Sequence, residues 1–299
     1  MQTGHVDVDA LDGGFDLQST LESGQSYLWW RDDGQDYDDQ EQYGGSAWYL
    51  TTHQVDGSPA ALRVRQVDGT IEWESTFDAE PILCERLGLA DDLPAIRESA
   101  PDEELLQSAW DTYRGMRIVR DPVFPNLISF ICSAQMHVTR IHRMQQALRE
   151  AFGTPVEFDG ETYHAYPTPE QLAGASEDEL RDLKLGYRAP YVKRTAEMVA
   201  TGEADPADAR GRPYEEARDA LTEFVGVGEK VADCVLLFSL GYLEAVPLDT
   251  WIRTTIADYF PECDKGNYTD TSRAIRERLG GEYAGYTQTY IFHYLRSRE

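Results

Sequence analysis

Positive charge, and lysine above all, is scarce in this 299-residue sequence. The chain has 27 lysines and arginines against 54 aspartates and glutamates, which gives a formal net charge of −27 at pH 7. A basic face is the usual electrostatic footprint of a nucleic-acid-binding protein, so the composition excludes binding that relies on net positive charge. The acidic residues are spread along the chain, which argues against a functional acidic tail.

The same composition predicts adaptation to high salt. An acidic excess, arginine in preference to lysine and a hydrophilic average occur together. In molar salt the Debye length is about 3 Å, so self-repulsion and attraction to phosphate are both damped. Counterion release also contributes little there. We therefore expect any nucleic-acid contact to depend on neutral groups.

Cysteine and long apolar runs are also scarce. The four cysteines are Cys84, Cys132, Cys234 and Cys263. No two stand at metal-ligand spacing, so we expect neither a zinc site nor an iron–sulfur cluster. We find no signal-peptide pattern and no apolar run long enough to cross a membrane. A soluble, cytoplasmic protein with reduced thiols is therefore expected.

Two parts of the chain have different periodicities. Aromatic and β-branched runs separated by Gly, Asp and Ser predict strands at 26–30, 47–51, 61–65 and 70–73. Helical patterns with polar starts predict helices at 80–90, 103–113, 122–133, 138–152, 168–174, 177–183, 189–201, 214–224, 230–240, 249–259, 269–279 and 283–298. The sequence therefore predicts an α+β fold, with an N-terminal antiparallel β domain at 1–100 and a mainly α-helical core at 101–299.

An acidic run at 32–39 interrupts the predicted strands. Such a run is most often a solvated loop, which is the structure we expect here. Calcium binding is the lesser alternative.

The most informative stretch is 214–240, where Gly226 and Gly228 separate two helical runs. Glycine adopts positive φ without steric cost, so the pair allows a tight hairpin. A helix that begins there leaves unpaired N–H groups, which favour an anion such as a DNA phosphate. A lone Gly-x-Gly is weak evidence, since an ordinary helix cap would have the same sequence.

Lys230 and Asp249 strengthen the functional interpretation. The chain keeps only four lysines, and one of them follows the hairpin directly. An arginine stays protonated, whereas a buried lysine with a lowered pKa can act as a nucleophile. Asp249 follows an extended segment and fits a helix N-cap, a role that is compatible with a catalytic one.

With these residues the chain resembles the helix–hairpin–helix DNA glycosylase superfamily, and most closely its 8-oxoguanine DNA glycosylase/AP lyase branch. The likeness covers nearly the whole chain, because segments 23–27, 128–133, 185–189 and 284–288 also match that branch in order. The resemblance implies a bifunctional enzyme that bends duplex DNA and flips the lesion into a pocket. Lys230 would attack the sugar C1′, form a Schiff base and allow β-elimination, with no metal or organic cofactor. Asp249 would stabilise the developing positive charge.

The resemblance also implies a base pocket formed by Gly24, Cys234, Gln288 and Phe292. The glycine carbonyl would accept a hydrogen bond from N7–H of 8-oxoguanine, a hydrogen that guanine lacks. The cysteine and the phenylalanine would sandwich the ring, and the glutamine would read its pairing edge. From the residues alone, Cys234 and Phe292 are more often core than pocket residues. Cys234 lies one turn after Lys230 on the same face, which favours the pocket.

DNA contacts implied by the resemblance come from two loops and the hairpin. Tyr187 and Arg188 would wedge into the duplex beside the extruded base, although a turn packed on the core is an equal alternative. Gln135 would fill the space that the base leaves, and Arg140 would face the orphaned cytosine. The full set of expected DNA-binding residues is Gln135, Arg140, Tyr187, Arg188, Gly226 and Gly228.

Two departures leave the opposite-base preference open. The eukaryotic members have an asparagine run where this chain has 134–137, and a histidine where it has Trp251. The expected partner is duplex DNA with oxidised guanine, bound by a monomer without a protein partner.

Two other functions remain as alternatives. One is a monofunctional alkyl-base glycosylase of the 3-methyladenine type, in which the aspartate activates a water and no hairpin lysine is needed. The other is a helix–hairpin–helix module that binds DNA without catalysis. Lys230 argues against the first, and the pair of Lys230 and Asp249 argues against the second.

Overall fold

The computed structural model describes residues 1–37 and 44–298. Residues 38 and 39 of the predicted acidic loop lie outside the described residues. Positions 32–35 are exposed, as expected of a solvated loop. Tyr37 instead packs inward, with its hydroxyl 3.2 Å from Nε2 of His142.

A five-stranded antiparallel sheet forms the N-terminal part. Its strands are β1 (Gln2–Asp7), β2 (Trp30–Arg31), β3 (Tyr49–Val55), β4 (Ser58–Val67) and β5 (Thr70–Ser75), in the order β1-β5-β4-β3-β2. Asp-Gly pairs at 56–57 and 68–69 join the two central hairpins, and all four residues have positive φ. This is the turn chemistry that matches the twist of antiparallel strands.

One predicted strand is wrong. Residues 26–29 are irregular, and only Trp30 enters the sheet. Their polar groups bond to helices instead, since the Ser26 hydroxyl donates to Asp121 at 2.6 Å and the Leu28 carbonyl accepts from Arg149 at 2.8 Å. Strand β1 was not predicted at all.

The remainder of the chain is mainly helical, which confirms the predicted α+β fold class. The helices are α1 (Leu17–Glu22), α2 (Glu80–Arg86), α3 (Leu93–Ser99), α4 (Glu104–Thr112), α5 (Val123–Ser133), α6 (Val138–Phe152), α7 (Pro169–Gly174), α8 (Glu177–Asp182), α9 (Ala189–Ala200), α10 (Tyr214–Thr222), α11 (Glu229–Val235), α12 (Thr250–Tyr259), α13 (Tyr268–Arg278) and α14 (Ala284–Arg296). Capping boxes start α7 and α8.

The observed helices differ from the prediction in three ways. Helices α1 and α3 are additional, and a hairpin of β6 (Pro155–Phe158) and β7 (Glu161–His164) interrupts the helices. The predicted helix at 230–240 becomes π-helical over Leu236–Leu240. A division into domains near residue 100 stays a prediction.

One cluster of buried apolar side chains joins the sheet to the helices, from Val8 and Trp73 through Phe130 to Val235 and Tyr294. A smaller cluster fills the space where α12, α13 and α14 pack together. In the described part of the chain no helix is long and apolar enough to cross a membrane.

Candidate active site

The hairpin between α10 and α11 is tight at one glycine only. Gly226 has φ +85°, and a Cβ there would come within 2.7 Å of the Tyr191 side chain. Gly228 has φ −94° and open space around it, so its expected positive φ is wrong. It is the N-cap of α11, and both glycines are exposed. The first N–H groups of α11 therefore face outward, where an anion can reach them.

Lys230 and Asp249 line the same cavity, which has a volume of about 50 Å³. Lys230 is half-buried, beside the Cys234 thiol and with Nζ 5.3 Å from the centre of the Phe130 ring. The Asp249 carboxylate accepts from the backbone N–H of Ile252 at 2.8 Å and so caps α12. Within residues 1–37 and 44–298 no direct ion pair joins the amine to this carboxylate. Both groups face the space in which a substrate would sit.

The expected lowering of the Lys230 pKa is wrong for the free protein. Burial opposes the charged amine, but Cys234, Tyr27 and Asp249 favour it, and the pKa is raised above its ordinary value. Burial raises the pKa of both Tyr27 and Cys234 to about 12, so neither is charged near pH 7. Asp249 is then the counter-charge, and the amine keeps its proton until a substrate changes the site.

All four predicted pocket residues line this cavity: Gly24, Cys234, Gln288 and Phe292. Gly24 has φ +88°, and a Cβ there would lie 3.3 Å from the Phe292 ring and 3.2 Å from an Arg296 nitrogen. The ring therefore covers the glycine. Gln288 is 5 % exposed, and among the described residues nothing donates to its buried Oε1. An unpaired buried acceptor at a cavity is a free recognition group for a ligand.

Several lining residues had no predicted role. Tyr27, Phe130 and Phe238 form apolar walls of the cavity. The first two lie in segments that the resemblance had already marked, but no local pattern showed that they would face Lys230. The Arg296 guanidinium stacks on Phe292 at 5.6 Å, which only the folded structure reveals.

The expected DNA-binding residues differ in exposure. Tyr187 is 56 % exposed, and Gln135 and Arg140 are exposed, Gln135 with φ +53°. Arg188 is 4 % exposed; it donates to the Ala134 carbonyl and lies 4.3 Å from the Tyr187 ring centre. Arg188 is therefore not at the surface. Its guanidinium instead connects the loop that contains Ala134 to the loop that contains Tyr187.

No group of three or more His, Cys, Asp or Glu residues could hold a metal ion within the described ranges. All four cysteines are free thiols, and Cys132, Cys234 and Cys263 are buried.

Comparisons with a family model and with known proteins show which proteins this chain is similar to. Residues 128–280 match the family model of the HhH-GPD superfamily base excision DNA repair protein. The chain is 33 % identical, over 95 % of its own length and 94 % of the other, to a probable N-glycosylase/DNA lyase of Methanothermobacter thermautotrophicus. It is 32 % identical to the N-glycosylase/DNA lyase of Saccharomyces cerevisiae over 60 % of this chain and 56 % of that protein.

Solved structures resemble the whole fold. The Clostridium acetobutylicum 8-oxoguanine glycosylase/lyase, in complex with double-stranded DNA containing cytosine opposite 8-oxoguanine, has a TM-score of 0.81 and 25 % identity. That likeness covers 95 % of this chain and 92 % of the other. A 3-methyladenine DNA glycosylase from Archaeoglobus fulgidus has a TM-score of 0.74 at 20 % identity, which is a likeness of fold alone.

Proposed function

Because this chain belongs to the HhH-GPD superfamily of base excision DNA repair proteins, we propose that it excises 8-oxoguanine from double-stranded DNA and then cuts the strand as an AP lyase. The observation that carries the proposal is one cavity lined by an amine, a carboxylate and a set of groups that could recognise a base. Lys230 and Asp249 supply the first two, and Gly24, Gln288 and Phe292 supply the third.

The reaction follows from the two charged groups. The neutral amine of Lys230 attacks C1′, and the glycosidic bond breaks with its electron pair leaving on the base, which takes up a proton. The Asp249 carboxylate stabilises the positive charge that develops on the sugar. Its hydrogen bond from Ile252 fixes it in place, so little reorganisation is needed. Opening of the sugar ring gives the imine, and loss of a C2′ proton then expels the 3′ phosphate.

Base recognition would use two groups at the cavity, of which Oε1 of Gln288 has no donor among the described residues. The Gly24 carbonyl would accept N7–H of the lesion, and Gln288 would bind the pairing edge. A cavity of about 50 Å³ holds only a water molecule or two. Lining side chains, such as the Phe292 ring that lies against Gly24, must therefore move before a base can enter.

Other properties are proposed on the sequence alone. We propose DNA contacts by Gln135, Arg140, Tyr187 and the hairpin amides, a monomer without a protein partner, a cytoplasmic location, adaptation to high salt, and a domain division near residue 100. The exposure of Tyr187 supports its role as a wedge.

The proposal is tested with an 8-oxoguanine duplex in the presence of borohydride, which reduces an imine to a stable adduct. Wild-type protein should form a covalent complex and release the base, and Lys230→Gln should do neither. Lys265→Gln is the matched control, because Lys265 is an exposed lysine away from the cavity. Release of alkylated bases without any adduct would instead indicate the monofunctional glycosylase, and binding without base release would indicate a non-catalytic module.

A further inference from the structure

We propose that Tyr268 is a positioning residue for the reaction. Its hydroxyl hydrogen-bonds to the buried carboxylate of Asp233, on the helix that contains Lys230, and to the segment that contains Asp249. Tyr268 therefore connects the two elements. This role rests on the proposed function and extends it to residues outside the cavity.

The first link starts on α11 itself. Asp233 is fully buried, three residues after Lys230, and faces α10 and α13 while Lys230 and Cys234 face the cavity. Its two oxygens accept from two phenols, one from Tyr214 at 2.6 Å and the other from Tyr268 at 2.7 Å. Burial raises the pKa of Asp233 to about 7, so the carboxyl is ionised above that pH, where hydrogen bonds to it are among the stronger ones in proteins. The carboxylate therefore holds α11 against the start of α13.

The second link runs from α13 to the segment before α12. The Tyr268 hydroxyl accepts the backbone N–H of Leu248 at 3.1 Å, so it donates in one direction and accepts in the other. Leu248 directly precedes Asp249. The Leu248 carbonyl accepts from Nε of Arg253 at 3.3 Å, and the Arg253 guanidinium lies 5.6 Å from the Tyr268 ring centre. Both polar groups of Leu248 are thus fixed by neighbouring side chains.

This path matters because the two reacting groups belong to different elements. Lys230 is on α11 and Asp249 caps α12, with no direct ion pair between them in the described structure. Their separation is set by whatever joins the elements, and the chain Asp233, Tyr268, Leu248 is a continuous hydrogen-bonded connection. A displacement of about 1 Å at a reacting group can cost about 100-fold in rate.

Tyr214 provides a matched control. It donates to the same carboxylate at a similar distance, 2.6 Å, but the only further hydrogen-bonding neighbour of its hydroxyl among the described residues is Ser272 Oγ, at 3.5 Å. It does not reach the Asp249 segment. Tyr214→Phe and Tyr268→Phe each remove one hydrogen bond to Asp233, and only Tyr268→Phe also frees Leu248.

The experiment compares the two variants in the full-length protein. With enzyme saturating an 8-oxoguanine duplex, Tyr268→Phe should lower the single-turnover rate of base release at least about tenfold, with the Kd for the duplex unchanged. Tyr214→Phe should keep the rate within about twofold. Both variants should lose thermal stability because each leaves the carboxylate with one donor fewer, and Tyr268→Phe should lose more because it also leaves the Leu248 N–H without its acceptor.

The outcomes separate the two proposals. Equal rates for the two variants, or a Tyr268→Phe effect on Kd or stability alone, would overturn the positioning role. A wild-type protein that releases no base would instead refute the proposed function. If Tyr268→Phe does not fold, Arg253→Met tests the same segment from an exposed position; its saturating rate should fall with Kd unchanged, and an unchanged rate would count against the proposal.

Discussion

The two sides of α11 differ in what the charged side chains of this helix contact. On the side that faces α10 and α13, the buried Asp233 accepts a hydrogen bond at each oxygen, and Arg218 and Arg276 lie nearby, although Nε and Nη1 of Arg218 and Nε of Arg276 have no partner among the described residues. On the cavity side, Lys230 has no direct ion pair within the described residues, and across the cavity Oε1 of Gln288 has no donor. The difference indicates that one side fixes the helix while the other is left free to bind and react.

The largest effect should be on the unfolding free energy, from a change at Asp233, on the side of α11 that faces α10 and α13. Burial, against the hydrogen bonds of Tyr214 and Tyr268, raises the pKa of Asp233 from 3.8 to about 7. A group whose pKa is raised on folding stabilises the protein at low pH and loses that contribution as pH rises through about 7. Between pH 4 and 8, Asp233→Asn should therefore gain up to about 4 kcal/mol in unfolding free energy relative to wild type.

Urea unfolding of both proteins across this pH range measures that gain. A constant difference between wild type and Asp233→Asn would show that folding leaves the pKa of this carboxyl unchanged, which would contradict the prediction.

The cavity side is tested next by Asp249→Asn. An asparagine caps a helix about as well as an aspartate, so the fold should keep its stability. The negative charge is lost, and the single-turnover rate of base release should fall by about 100-fold or more. The rate and the thermal midpoint, measured side by side, separate the two roles. A rate close to that of wild type would mean that the charge is not used.

The pH dependence of the rate tests the protonation of Lys230. Its pKa is raised above the ordinary value, so the amine is protonated at neutral pH and the reactive fraction grows as pH rises. The single-turnover rate should increase by about tenfold per pH unit between pH 6 and 9. Asp249→Asn removes the counter-charge, so its profile should level off at lower pH. A flat wild-type profile would mean that the substrate complex already holds a neutral amine.

The smallest effect is expected on the Kd for duplex when the salt concentration is raised. The hairpin offers neutral amides and the chain has a net charge of −27, so few counterions should be released on binding. Raising potassium chloride from about 1 M to 3 M should weaken the Kd for duplex by less than about tenfold, where six phosphate contacts would give several hundredfold. A steep fall of affinity over this range would refute the adaptation to high salt.

What the sequence could predict was mostly local. Lys230 and Cys234 are four residues apart on a helix, so their common face follows from helical geometry. The Asp-Gly turns of the sheet likewise follow from the preference of a few residues. Groups such as Gly24 and Gln288 were assigned through the resemblance, and the structure brings them to the same cavity as Lys230.

What the sequence could not predict depends on contacts between distant segments. The bonds from Tyr268 to Asp233 and Leu248 join three elements, and the Phe292 ring covers Gly24 from the other end of the chain. Segment 26–29 has strand-like residues, but tertiary hydrogen bonds override that preference. The direction of the Lys230 pKa shift was missed because it depends on three groups from different segments.

The most direct test of the account is to locate the amine that forms the imine. The chain has four lysines, so after borohydride treatment with an 8-oxoguanine duplex, digestion and mass spectrometry can assign the adduct to one peptide. The sugar remnant should be attached to Lys230. An adduct on Lys184, Lys193, Lys265 or the N-terminus, with Lys230 unmodified, would contradict it.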